Sequence, residues 1–322
     1  MSIHKKDIEA AHTRIQSYIR KTALERSRPL EELTQANVFL KMECQQVSGS
    51  FKARGAFNKI LSIPEHTRTS QNFIAASTGN HAVAFCTALD SLGLIGKVVL
   101  PTNISPAKLE FIQMFGIPID FHGSNSLQAE IYARKQAQEQ DFTLVHPYDD
   151  PMIVAGQGTV AIELVNEIGE PDVVIVPVGG GGLISGVCAY LKQIDPSITI
   201  IGCQPERSPE MVVSVRRGSI VNEDITSPTL SDGTAGGMEP GCITFDMCKQ
   251  WVDEWMLLSE TEIAHAIRFM IVNHQIIVEG AGALSLAALI RMKTRLANKK
   301  VVCLITGKRI SKAKLLEVLT EK

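Results

Sequence analysis

The run Val176-Pro177-Val178-Gly179-Gly180-Gly181-Gly182-Leu183-Ile184-Ser185-Gly186 constrains the fold more than any other stretch of the chain. An apolar strand-like segment enters four consecutive glycines, and a helical pattern leaves them. Glycine loses more conformational freedom on folding than any other residue, so four in a row are expensive. One or two would serve a tight strand-to-helix turn. Four make sense where backbone N–H groups wrap an anion at a helix N-terminus, since dipole and free donors both favour phosphate there. The spacing is neither GxGxxG nor a P-loop, because no GK[ST] follows. Gly180, Gly182 and Gly186 fit a looser GxGxxxG, which keeps an NADP-dependent oxidoreductase as a rival. That rival wants an acidic residue at the end of the next strand to hold a ribose. The segment 198–202 instead runs into Cys203 and Gln204, with Glu206 slightly beyond.

The same strand-then-helix rhythm runs through most of the 322 residues. Strand-like segments start at Val38, Phe73, Lys97, Asp172, Ile198 and Lys300, with amphipathic helical stretches at 106–114, 126–138 and 183–194. Ser259 and Glu262 have capping-box spacing and open a helix expected to reach about Asn273. This alternation predicts an α/β protein built of βαβ units with mainly parallel sheets flanked by helices. Proline-marked breaks near Pro64 and at 146–151 suggest two domains: 1–63 with 150–322, and a smaller inserted α/β domain, 64–149. A net charge of −2 gives no electrostatic case for nucleic acid or an anionic membrane. No apolar run is long enough to span a bilayer, and the first fifteen residues read as an amphipathic helix rather than a signal peptide. Seven scattered cysteines without a CxxC pair point to reduced thiols in a cytoplasmic protein, not to disulfides or a zinc site.

The stretch VSGSFKARGA places Lys52 at the start of a helix that Ser50 is expected to cap. A cation in the first turn faces the positive end of the helix dipole, and its neighbours Phe51, Ala53, Gly55 and Ala56 are small or apolar. Such a lysine is either a surface residue or an amine whose ammonium form is disfavoured, as Schiff-base chemistry requires. A second loop, Ser77-Thr78-Gly79-Asn80-His81, lies between a strand and a helix, where hydroxyls and N–H groups either hold a carboxylate or cap the helix. The small-residue loops 232–237 and 279–283 suit close backbone packing at least as well as ligand contact.

Six segments in order, SFKARGA, STGNHA, AGQGT, GGGGLISG, DGTAGG and VEGAGA, resemble the serine/threonine dehydratase (ammonia-lyase) branch of the pyridoxal-phosphate enzymes of the tryptophan-synthase-β fold type. The resemblance covers nearly the whole chain. It implies a two-domain fold type II enzyme with pyridoxal 5'-phosphate bound as a Schiff base to Lys52 and its phosphate on Gly179, Gly180, Gly181, Gly182 and Leu183. Phe51 is implied to pack near the ring, Asn80 to hydrogen-bond the cofactor's 3-hydroxyl, Glu279 to sit in the cofactor site and Thr306 to face the pyridine nitrogen. Ser77, Thr78, Gly79, Asn80 and His81, with Arg134 and Gly236, are implied to receive the substrate and its carboxylate. The implied reaction is loss of water from an L-β-hydroxy amino acid, serine- or threonine-like, giving a 2-oxo acid and ammonia. Lys52 serves as general base, and its unperturbed pKa of about 10.4 must fall for that role. Serine racemases and dehydratases of phenylserine or hydroxyaspartate share the scaffold. The family's usual state is a homodimer, with no nucleic-acid or membrane partner.

Three departures from the family pattern stand out. Thr306-Gly307-Lys308-Arg309 replaces the usual SGGN, keeping the hydroxyl but adding two cations. Val83 follows GNHA where a glutamine is common. Gln204, Ser208 and Glu210 occupy the places of a divalent-cation site, and the missing carboxylate argues against a metal there. Thr78 stands where the racemases carry a second acid–base serine. The chain stops one helix after the strand at Val301, so feedback control by isoleucine is not expected.

Overall fold

A computed structural model describes residues 3–221 and 223–320. Its strands form two sheets. The larger contains β1 (Leu24–Arg26), β2 (Asn37–Lys41), β7 (Val173–Pro177), β8 (Thr199–Pro205), β9 (Glu254–Leu258) and β10 (Lys300–Leu304). Their spatial order is β1-β2-β10-β7-β8-β9, all parallel except β1, which pairs antiparallel with β2. The smaller sheet contains β3 (Asn72–Ala76), β4 (Gly96–Leu100), β5 (Ile119–Phe121) and β6 (Phe142–Leu144), all parallel, in the order β5-β4-β3-β6.

Parallel strands buried on both faces explain the continuous Val/Ile runs. In β7 every residue is buried: Val174 and Val176 face one core, Val173 and Ile175 the other. The first core is completed by helices Pro151–Ile168 and Gly182–Ile194, the second by Glu260–Phe269 and Gly280–Met292. In the smaller sheet Phe73, Ala75 and Val98 meet Phe57 and Ile60 of helix Lys52–Leu61. Ile74, Ala76 and Val99 meet Ala129 and Ala133 of helix Ser126–Glu139 on the other face.

Two of the sequence motifs touch. A Cβ on Gly156 would lie 2.7 Å from the Arg54 carbonyl oxygen, and one on Gly186 would lie 2.5 Å from the Gly158 nitrogen. Helices Lys52–Leu61, Pro151–Ile168 and Gly182–Ile194 therefore cross at backbone distance, which only glycine permits. Gly186, the last glycine of the looser GxGxxxG, serves helix packing.

The six strands expected from sequence form, as does the Ser259 capping box, and its helix ends at Phe269 before a π-helical turn, Met270–His274. The strands β1, β5, β6 and β9 were not legible: three are only three residues long, and β9 runs straight into the next cap. Ser50 does not cap with its side chain. Phe51 is the N-cap residue, and the buried Ser50 hydroxyl has no hydrogen-bond partner. A bridge to Gly307 holds the Ser50 backbone in extended form instead.

Candidate active site

Parallel register brings the loops after β7 and β10 out side by side, since Val301–Cys303 pair with Val173–Ile175. Loops at the carboxyl ends of adjacent parallel strands are where open α/β sheets bind ligands. Here they meet the loop after β3 around a cavity of about 1570 Å³. Every site residue expected from sequence lines this cavity except Arg134.

Lys52 is the first residue of its helix, and its ammonium donates to the Pro147 carbonyl oxygen at 2.7 Å. Burial lowers its pKa to about 8, against a smaller opposing pull from Glu130. The Phe51 ring centroid lies 5.3 Å from the amine. His81 donates from Nε2 to the Val145 carbonyl oxygen at 2.7 Å, and burial, with Lys52 nearby, drops its pKa to about 3. It is a neutral ring whose Nδ1 is buried and unpartnered. Ser77 Oγ accepts the Gly79 N–H at 3.2 Å, so the loop turns on its own side chain, and Gly79, not a hydroxyl residue, is the N-cap of helix Asn80–Leu92.

The tetraglycine turn is tight for two reasons. Gly181 has φ +85°, and a Cβ on Gly180 would sit 2.3 Å from the Tyr148 ring. The turn opens helix Gly182–Ile194, whose first-turn N–H groups have no intrahelical acceptors. Opposite, Asn80 donates through Nδ2 to Glu279 at 2.6 Å while its Oδ1 is buried without a partner. Glu279 also accepts the Arg309 N–H at 3.0 Å, and burial, then Asp232, lifts its pKa to about 7. Gly280 and Gly282 are explained by packing: a Cβ on either would strike the carbonyl oxygen of Leu230 or Gly307. The unusual Arg309 lines the cavity, where it donates to the Ser48 carbonyl oxygen and stacks on Phe111 at 4.0 Å.

Arg134 departs from expectation. Its Nε donates to Glu239 at 2.6 Å and its Nη2 to Asp149 at 3.0 Å. Two carboxylates of the protein thus engage the guanidinium, and Arg134 is not among the residues that line the cavity. Sequence reasoning missed the group it anchors: Glu130, His146, Tyr148 and Glu239. His146 and Tyr148 stood in the segment read only as a domain break, and Glu130, four residues before Arg134, has the spacing of an ordinary helix-surface pair.

At the positions of the family's divalent-cation site, where no metal was expected, Gln204 accepts the Val212 N–H at 2.8 Å, and Glu210 accepts from the Ser208 and Thr226 hydroxyls.

A lysine amine of lowered basicity, a glycine turn at a helix N-terminus and an unpaired amide oxygen line one cavity. That set fits a phosphorylated aldehyde cofactor. The family model for pyridoxal-phosphate dependent enzymes matches residues 15–307. The chain belongs to that family. It is 38% identical over 301 residues to the L-threonine ammonia-lyase of Thermotoga maritima, covering 94% of this chain and 74% of that one. It is 40% identical over 305 residues to the catabolic L-threonine dehydratase TdcB of Staphylococcus aureus, covering 94% and 87%. Among solved structures, maize serine racemase superposes with a TM-score of 0.90 at 28% identity, covering 99% of this chain and 97% of that one. A threonine deaminase from the organism abbreviated T.th. gives 0.86 at 32%, covering 96% and 99%.

Proposed function

We propose that this chain removes water from an L-β-hydroxy amino acid of the threonine/serine kind, releasing a 2-oxo acid and ammonia. The observation that carries the reading is the Lys52 amine, lowered to about 8 by burial, in the wall of the same cavity as the tetraglycine turn. Pyridoxal phosphate, held by Lys52, Gly179–Gly182, Leu183, Asn80, Glu279 and Thr306, supplies an electron sink that makes the Cα proton acidic. Thr306 presents a neutral hydroxyl, which does not force a proton onto a ring nitrogen. A milder sink suits elimination, where departure of the β-substituent removes the developing charge. Lys52 takes the Cα proton, and a pKa near the working pH lets the same group accept and return it. Ser77, Thr78, Gly79 and His81 receive the substrate carboxylate at the N-terminus of helix Asn80–Leu92, and neutral His81 leaves that role to backbone donors. Boundaries at 1–63 with 150–322 and at 64–149 follow the two sheets, and the working form is a cytoplasmic homodimer.

A racemase reading draws on the maize similarity, and Thr78 argues against it. Its extra methyl restricts χ1, and proton transfer to the second face of Cα is sensitive to small displacements. The test is borohydride reduction of the holoenzyme with mass mapping, alongside chiral chromatography and 2-oxo acid release on L- and D-serine and L-threonine. The expected result is a reduced adduct on Lys52 and 2-oxo acid formed faster than the serine enantiomers interconvert. An adduct on another lysine overturns the site, and faster racemisation overturns the activity.

A further inference from the structure

Helix Ser126–Glu139 buries Ala129 and Ala133 against the smaller sheet and turns Glu130 into the cavity that holds Lys52. The carboxyl lies within 4.8 Å of the ligating atoms of both His146 and Glu239. His146 Nδ1 accepts the N–H groups of Tyr148 and Asp149, at 3.3 and 2.7 Å, which puts the ring proton on Nε2. Nε2 donates it to Glu239 at 2.8 Å. Both nitrogens are engaged, so the trio is a hydrogen-bonded network and not a ligand set for a metal. The Tyr148 hydroxyl accepts the Glu239 N–H at 2.9 Å. Glu130 itself lines the cavity, beside Lys52 and Tyr148 in its wall.

The two carboxyls are driven apart. Burial would raise Glu239, but the His146 hydrogen bond and Arg134 outweigh it and hold Glu239 ionised. Burial and the fixed Glu239 charge push Glu130 up to about 8, against Lys52 and Arg134. Neighbouring carboxyls so separated mark an acid and a permanently charged partner.

We propose that Glu130 is the general acid of this site, donating its carboxyl proton to the hydroxyl that leaves the substrate's β-carbon. The inference rests on the elimination reading above. The Cα–H bond breaks with its proton on the Lys52 amine and its electron pair ending in the new Cα=Cβ bond. The Cβ–O bond breaks with its pair on oxygen, which takes the Glu130 proton and departs as water. One proton returning from the Lys52 ammonium to the Glu130 carboxylate resets both groups. No oxidant or reductant enters.

Glu130→Gln keeps the shape but has no acidic proton to give. The holoenzymes are compared on L-serine and on β-chloro-L-alanine, whose chloride leaves without protonation. The expected loss of kcat is about 100-fold or more on serine, with the chloro substrate changed by less than about threefold. The wild-type rate on serine falls as pH rises through the Glu130 pKa, and on the chloro substrate that limb is absent. A difference infrared spectrum of wild type against Glu130→Gln shows a protonated carboxyl band at pH 7. Equal losses on both substrates, no loss on either, or no such band overturns the assignment. If wild type releases 2-oxo acid from neither substrate, the elimination reading itself fails and the assignment falls with it.

Discussion

Two charged clusters, one fully buried around Arg54 and one partly exposed around Arg134, are built on opposite plans. In the first, Arg54 and Glu43 are fully buried, and Arg54 donates twice to Glu43 and twice to Glu163, at 2.6 to 2.9 Å. Lys41 adds a bond to Glu163 at 2.5 Å and one to the Thr22 carbonyl oxygen at 2.7 Å. Two cations meet two anions, and each has its hydrogen bonds. In the second, Arg134, Glu239, His146 and Tyr148 satisfy one another, and Glu130 is left over, facing the cavity. The first cluster joins helix Lys52–Leu61 to helix Pro151–Ile168 and fixes the register of Lys52. The second leaves a proton unused by the fold. Satisfied charge rigidifies, while a titratable group left without a counter-charge next to a cavity is available for chemistry.

The largest expected effect breaks the closed cluster. Arg54→Ala leaves Glu43 and Glu163 buried without their main partner and is expected to cost about 3–5 kcal/mol. Denaturant midpoints of wild type and variant measure it. A loss below about 1 kcal/mol would show the cluster to be wet or loose.

A smaller effect sharpens the contrast through pH. Burial would raise Glu163, but Arg54 and Lys41 hold its pKa below the usual range. Its stabilisation is therefore present above its unfolded pKa and is lost on acidification through the folded value. Glu130 has the opposite sign. With its pKa raised from 4.5 to about 8, the folded protein keeps a proton that the unfolded chain has lost. Stability therefore declines as pH rises across that window. Relative to wild type, Glu130→Gln is expected to gain roughly a few degrees of Tm at pH 9 over its value at pH 5. Parallel Tm curves would mean that Glu130 titrates normally.

The smallest effect concerns a third carboxylate. Glu210 is closed by the Ser208 and Thr226 hydroxyls, and Gln204 is spent on the Val212 N–H. By the same rule it is structural, and a chelator should change 2-oxo acid release by less than about twofold. Collapse on chelation with recovery in Mg²⁺ or Ca²⁺ would place a working cation there.

What was legible in the chain is whatever the backbone reads locally. Apolar runs pointed to six of the seven longer parallel strands, and the tetraglycine to the turn into helix Gly182–Ile194, because period, entropy and turn geometry are properties of neighbours in sequence. The three-residue strands carry no period, so pairing alone makes them strands. Lys52 was readable as an amine in the wrong place, at a helix start among apolar residues. Its lowered basicity was not, because desolvation comes from Pro147 and the cavity walls, about 95 positions away in the chain. Arg134 shows the same limit from the other side. Its type suggested a carboxylate partner, and the fold supplied two, Asp149 and Glu239, from within the protein. Glu130 looks in sequence like half of a surface pair with Arg134. Only tertiary packing, by giving that arginine to Glu239 and setting Glu239 beside Glu130, raises the carboxyl's pKa and puts it in the same cavity as Lys52.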